Sequence, residues 1–401
     1  MPRAGWVKPE SDRRLSDLVS VGLLTRVFPP GVVDEVIAEV GKTEQRHRRL
    51  PARVVAYFAV GMALYAEGSY EDVFAQLTDG LVWSARDAGS WAMPSKSGIF
   101  QARARLGAAP VQALFHRCAR PMATPGTTGA FLAGRRLVAI DGTCLDVADT
   151  PGNAAHFGRP GVSKGEKAAF PQSRVVAVAE CATHAILDAV TGPYTTSEVA
   201  QSSELVGRLS PGMLVLADRG FYGFPLWHKA AATGADLLWR VKTNLTPHYL
   251  STLADGSWLA EISPSGRAAR RTTVPLRVRV LDYTVNDGRE HPESYRLFTT
   301  ILDPEDAPAA DLAAAYAQRW EIESTFDELK THQRGPRIVL RSKSPELVNQ
   351  EIWGYLCCHY AIRTLMWEAA DQAGADPDRV SFVAALRIAR RSVAGRGDFP
   401  P

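Results

Sequence analysis

Residues Tyr316 to Lys330, YAQRWEIESTFDELK, decide how the rest of the chain is read. The stretch contains no Gly or Pro, is rich in good helix formers and follows the Ala-rich lead-in DLAAAYAQ, so a helix is expected here. At about 100° per residue and with Tyr316 as zero, Arg319 falls at about −60°, Glu323 at about −20° and Lys330 at about −40°. One narrow face then carries a phenol, a guanidinium, a carboxylate and an ammonium. Charged helical faces are usually only solvated. The chemistry of this one goes further, because a carboxylate can hold a hard metal ion while Arg, Lys and a Tyr hydroxyl bind phosphate oxygens. Two more carboxylates from elsewhere would complete such a site.

The chain of 401 residues has room for two domains, and its 46% hydrophobic content supplies an ordinary soluble core. The longest apolar run, VVAYFAVGMALYA from Val54 to Ala66, is too short to span a bilayer and fits a buried helix. The N-terminus, MPRAGWVKPESDRR, lacks the apolar segment of a signal peptide, so a cytoplasmic protein is expected, in a bacterium one associated with the nucleoid. Five cysteines with no C-x-x-C pair argue against a disulfide framework and against zinc. The net charge of +3 is small, but its distribution is uneven. Residues 262–281 carry five Arg and no acid, and residues 331–345 carry Arg334, Arg337, Arg341 and Lys343 with none, as a polyanion-binding surface requires.

From Arg14 to about Arg120 the pattern is helical, with Ser69 as a candidate N-cap and Gly41 and Gly68 as stops. Residues 1–128 are therefore assigned to an all-α DNA-binding domain. In its last part, PSKSGIFQARARLG, a helix starting at Ser95 would expose Lys96, Gln101, Arg103 and Arg105 and leave Ile99, Phe100 and Leu106 to pack, as in a recognition helix. A Gly/Thr/Pro linker at 126–134 leads into strands: RRLVAIDGTCLDVAD, the hairpin RVVAVAE with HAILDAVTG, GMLVLADRGFYG, LLWRVKT and YRLFTTIL. Strands interleaved with helices give an α/β class, a mixed sheet flanked by helices. Residues 129–375 form this second domain, with a β-rich insertion at about 246–294, and 376–401 form a tail.

Asp141 in AIDGT and Asp218 in LADRGFY each stand where an apolar strand run stops. The carboxyl ends of neighbouring strands form the usual ligand crevice of an α/β sheet, so both can meet an acid on a later helix. Three carboxylates without a His or Cys cluster favour Mg²⁺ or Mn²⁺ over zinc. The residues alone leave Asp146 and Asp149 open as alternatives to Asp141. Asp327 stays open against Glu323, being only about 40° away around the helix. Glu321 and Glu328 point to the opposite side.

The spacing Y-x-x-R-x-x-x-E-x-x-x-x-x-x-K, preceded by D-G-T at 141–143 and D-R-G-F-Y at 218–222, resembles the catalytic blocks of DDE-type bacterial insertion-sequence transposases, specifically the insertion sequence 4 family. The segments PSKSGIFQARARLG and SVGLLTRVFPPGVVDEVI resemble that family's N-terminal domain, so the likeness covers nearly the whole chain. It implies a ribonuclease H-like core, with Asp141, Asp218 and Glu323 as catalytic metal ligands for two Mg²⁺ or Mn²⁺ ions. It places Tyr316, Arg319 and Lys330 on transposon-end DNA. The implied activity is metal-dependent strand cleavage and strand transfer at terminal inverted repeats, in cut-and-paste transposition by a homodimer on double-stranded DNA. Arg219 and Tyr222 could then reach the scissile phosphate, and Lys96, Arg103, Arg105, Arg341 and Lys343 the flanking duplex. Trp258 could hold an extruded base. A DNA-binding relative without catalysis and a general metal-dependent nuclease are the alternatives; the intact acidic triad argues against the first.

Overall fold

The computed structural model describes residues 22–46, 50–85, 93–161, 168–266, 273–285, 293–335 and 338–394. Arg267, Arg270, Arg271 and Arg337, part of the expected basic surfaces, lie outside them, as do residues 1–21 and 395–401. Six helices precede the first strand: α1 (Gly22–Val27), α2 (Pro30–Glu39), α3 (Ala52–Leu64), α4 (Tyr70–Ala85), α5 (Lys96–Leu106) and α6 (Ala109–Cys118). Ser69 opens α4 with a reciprocal cap, its hydroxyl accepting from Asp72 N at 3.1 Å while Asp72 Oδ2 accepts from Ser69 N at 2.9 Å.

The apolar runs read as strands join one sheet. Its members are β1 (Phe131–Leu132), β2 (Arg135–Asp146), β3 (Gln172–Glu180), β4 (Ile186–Pro193), β5 (Met213–Ala217), β6 (Asp236–Val241), β7 (His248–Thr252), β8 (Trp258–Ile262), β9 (Leu276–Val285) and β10 (Glu293–Thr299). The order is β4-β3-β2-β5-β6-β10-β9-β8-β7, with β1 against β2. β2, β3 and β4 pair antiparallel, whereas β2, β5 and β6 run parallel. This five-strand half is the ribonuclease H-like core. The segment expected as an insertion adds β7, β8 and β9 to the same sheet, because β10 pairs antiparallel with β6 and carries β9 on its other edge.

Helices α7 (Pro151–Phe157), α8 (Glu198–Val206) and α9 (Phe224–Ala231) fall between the core strands. Alternation along the strands divides the core in two. Val138, Ile140, Val215 and Ala217 meet Leu205 and Val206 of α8 and Leu226 and Trp227 of α9 on one face. Leu137, Ala139, Leu214 and Leu216 face the other layer, shared with the N-terminal helices and with the last ones. Those last helices are α10 (Ala309–Ala317), α11 (Trp320–Asp327), a π-helical turn (Glu328–Gln333), α12 (Pro345–Ala373) and α13 (Phe382–Ala394).

The apolar run of α3 is buried from Val54 to Leu64, as its composition predicted, and lies against α12. A Cβ on Gly354 would stand 2.4 Å from Ala59 O, so glycine sets the closeness of that crossing. None of the described helices is long and apolar enough to cross a membrane. All five cysteines are unpaired.

Two expectations fail on local geometry. The stretch 316–330 is not one continuous helix. α10 stops at Ala317, Arg319 N bonds Tyr316 O at 3.1 Å and Ile322 N bonds Arg319 O at 3.3 Å, so the chain tightens to three-residue spacing before α11. Equal angular steps therefore do not carry from Tyr316 to Lys330. On α5, Arg103 is fully buried while Phe100 is exposed. Ile99, Ala102, Arg103 and Leu106 form the buried stripe at i, i+3, i+4 and i+7, so helical period overrides charge. The Arg103 guanidinium donates to Gln350 Oε1 at 2.9 Å, to Ser342 Oγ at 3.1 Å and to the Tyr70 hydroxyl, and it is unavailable to DNA.

Candidate active site

The last paired rung between β2 and β5 joins Ile140 to Ala217, so Asp141 and Asp218 are the next residues on two neighbouring parallel strands. Asp218 ends its strand as expected. Asp141 does not: β2 continues to Asp146, held there by β3 alone. The position that looked like a strand end is the level at which one neighbour stops. Asp141 follows Leu137 and Ala139 in alternation and so faces the layer of α11.

α11 brings the third carboxylate. Arg319, buried just before the helix, places Nη2 3.0 Å from Glu323 Oε1 and Nη1 4.0 Å from Asp141 Oδ2. Tyr316 is buried and its hydroxyl reaches Ala217 O at 3.4 Å, tying α10 to the end of β5 beside Asp218. Burial drives its phenol pKa far upward. Tyr316 therefore braces the site from within. Asp327, one turn further on, lines the same cavity as Glu323 but is engaged locally, accepting from Thr331 Oγ1 at 2.6 Å and lying 3.6 Å from His332 Nε2. Asp146 accepts from Gln172 and Asp149 pairs with Arg159, so both are engaged elsewhere.

Burial, with the charges of Glu198 and Glu323, raises Asp141 to about 6 against the pull of Gly142 N and Arg319. The carboxylates thus repel one another in a half-dry pocket, the condition a bound cation relieves. Two residues missed in the sequence belong to this environment. Arg240 on β6 stands 4.0 Å from Asp218 Oδ1, pairs with Glu293 and lies 3.9 Å over the Tyr295 ring. A single Arg in the apolar run LLWRV was its only signal. Glu198, at the start of α8, acts electrostatically with both Asp141 and Asp218.

The other expected DNA contacts divide. Arg219 is exposed directly after Asp218, and Lys96, Arg105 and Lys343 are exposed as well. Lys330 is half-buried in the π-helical turn. Tyr222 lies edge-on to Phe298 at 5.4 Å, and burial lifts its phenol to about 12. Arg341 turns inward, bonding the carbonyls of Gly68 and Met62 and lying 5.3 Å over the Tyr70 ring. Trp258 bonds Asp282 at 3.2 Å and packs on Tyr249 within its own strands.

Asp141, Asp218 and Glu323 offer only carboxylate oxygens, and the Arg319 guanidinium stands between two of them where positive charge is required. That donor set fits Mg²⁺ or Mn²⁺. Another cluster on α11 is tighter: ligand atoms of His184, Glu321 and Asp378 all lie within 4.8 Å of one another. His184 there bridges Glu321 and Glu328, the two acids expected to point away from the site, with its Nδ1 3.2 Å from Glu328 Oε1.

Residues 18–116 match the family described as insertion element 4 transposase N-terminal, and residues 132–361 match the transposase DDE domain. The chain is 29% identical over 359 residues to the transposase InsG for insertion sequence element IS4 of Escherichia coli strain K12, across 88% of this chain and 78% of that protein. It is 26% identical over 281 residues to the putative transposase InsZ of the same strain, across 70% and 87%. Among solved structures, the piggyBac transposase synaptic complex with hairpin DNA aligns at a TM-score of 0.48 and 12% identity, covering 93% of this chain and 79% of that one. With both of its segments matched in order, and Asp141 and Asp218 level with one another on β2 and just past β5, the chain belongs to the DDE transposases of the insertion sequence 4 family.

Proposed function

We propose that this transposase binds the terminal inverted repeats of its own insertion sequence and catalyses strand cleavage and strand transfer there by cut-and-paste. The observation that carries the proposal is the convergence of Asp141, Asp218 and Glu323 around Arg319. Asp141, Asp218 and Glu323 would hold two Mg²⁺ or Mn²⁺ ions, whose chemistry is activation of a water or 3′-hydroxyl and stabilisation of the leaving oxygen. The chain's own cations do the rest. Arg319 keeps Glu323 oriented toward Asp141, and its buried fork is suited to a phosphate oxygen. Arg240 faces Asp218 from β6, and exposed Arg219 extends the positive surface toward the duplex. Exposed Lys96, Arg105 and Lys343 would contact flanking backbone phosphates, and two copies would join two ends.

The test is cleavage of DNA carrying the inverted repeats that flank this gene, with Mg²⁺ or Mn²⁺ and the purified chain. Nicking at the repeat ends, followed by joining to a target, is expected. Equal cutting of DNA without the ends would indicate a general nuclease, and end binding without cleavage a regulator.

A further inference from the structure

A fourth carboxylate reaches the same edge of the sheet from the layer opposite α11. Glu198 is the first residue of α8, fixed by the cap of Ser197, whose hydroxyl accepts from Ala200 N at 3.2 Å. Val138 and Ile140 cover the α8 side of β2, and the next residue on that side is Gly142. A Cβ on Gly142 would stand 1.7 Å from Glu198 Oε1 and 2.7 Å from its carboxyl carbon. The Glu198 carboxylate therefore fills the space that any side chain at 142 would need. Gly142 is absent from the positive-φ residues, so room rather than backbone conformation is what its glycine provides. Seated against Gly142, the neighbour of Asp141, the Glu198 carboxylate lies close enough to Asp141 and Asp218 for its charge to act on both. Its countercharge is Arg174 on β3, which donates to Thr196 O at 3.1 Å and lies 5.2 Å over the Tyr194 ring. The carboxylate is thus held half-buried at the site.

We propose that Glu198 is a positioning residue of the catalytic centre, accepting hydrogen bonds from the water shell of the divalent cation, and that Gly142 is glycine in order to admit it. This rests on Asp141, Asp218 and Glu323 holding that cation. Magnesium-like ions keep several of their waters, which leaves work for a carboxylate outside the direct ligands. Such residues typically contribute about 10- to 100-fold in metal affinity.

Mn²⁺ binding to the intact chain without DNA, followed by electron paramagnetic resonance of the free ion, separates the possibilities. Glu198→Gln, which preserves shape, should weaken Mn²⁺ binding by about 10- to 100-fold with an unchanged circular dichroism melt. Gly142→Ala displaces the same carboxylate, so it should give a similar loss, and the double variant should lose no more than either single. Wild-type affinity in Glu198→Gln overturns the proposal, because pairing with Arg174 alone would leave Mn²⁺ untouched. Full additivity in the double variant overturns the role of Gly142. Asp218→Asn and Glu323→Gln are the control. If both retain wild-type affinity, the three-carboxylate reading fails; if they lose it and Glu198→Gln does not, only the fourth carboxylate fails.

Discussion

Asp141 and Asp218 occupy the same level of two parallel strands, one residue beyond the Ile140–Ala217 rung, although 77 positions separate them in the chain. Neither side chain can be replaced by its neighbour, because a shift of one residue turns a strand side chain to the other face. Asp141→Asn and Asp218→Asn should each reduce end cleavage by at least about 10²-fold, the scale set by loss of one preorganised charge-stabilising group. End binding at moderate salt should remain, as measured by fluorescence anisotropy.

Glu323 and Asp327 are separated by one helical turn, yet only Glu323 shares the Arg319 guanidinium. Glu323→Gln is expected to abolish detectable cleavage while moving stability by less than about 0.5 kcal/mol, since the side chain is 43% exposed and Gln keeps an oxygen for the Arg319 hydrogen bond. Asp327→Asn should cleave at close to the wild-type rate. The opposite ranking would transfer the ligand role to Asp327.

On α5 the three cations should behave differently. Arg103→Ala leaves Gln350 and Ser342 without their donor inside the core and should destabilise the fold by about 3 kcal/mol or more, read as a lowered denaturant midpoint. Lys96→Ala and Arg105→Ala, both exposed, should leave that midpoint in place. If they touch backbone phosphates, each should reduce the log–log salt slope of end binding by about one unit.

Glu328 supplies the acid sensitivity. Burial alone would raise its pKa, but hydrogen bonds from His184 and His359 and the Arg363 guanidinium outweigh burial and hold it well below the carboxylate range. A depressed carboxylate gives stability that is fully present above its unfolded value of about 4.3 and is lost as pH falls toward the folded value. Glu328→Gln should therefore cost about 3–5 kcal/mol at pH 7, with the gap to wild type closing below about pH 4 in denaturant melts. A constant gap across that window would remove the ion-pair account.

Part of this was legible in the residues. β-branched runs gave the core strands, the apolar run of α3 gave a buried helix, and acids at the margins of apolar runs gave Asp141 and Asp218 as candidates. Arg103 was misjudged because its charge was weighed above its place in the stripe Ile99, Ala102, Arg103 and Leu106. Arg341 was misjudged because a basic run says nothing about which carbonyls lie beneath it. Tyr316 lost its place on the DNA-facing stripe when the backbone tightened at Arg319. Glu198 was missed because nothing local marks the acid in TTSEVA.

The sequence by itself determined the alternation of strands and helices and the family resemblance, through which Asp141, Asp218 and Glu323 became the expected ligands, since these depend on side-chain period and on motifs short enough to read along the chain. Tertiary structure alone decided that Asp141 lies within a strand, that Arg319 stands between Asp141 and Glu323, and that Glu198 enters through the gap at Gly142. Each of these depends on strand register and layer packing, which bring together residues distant in sequence, and no local pattern encodes such distances.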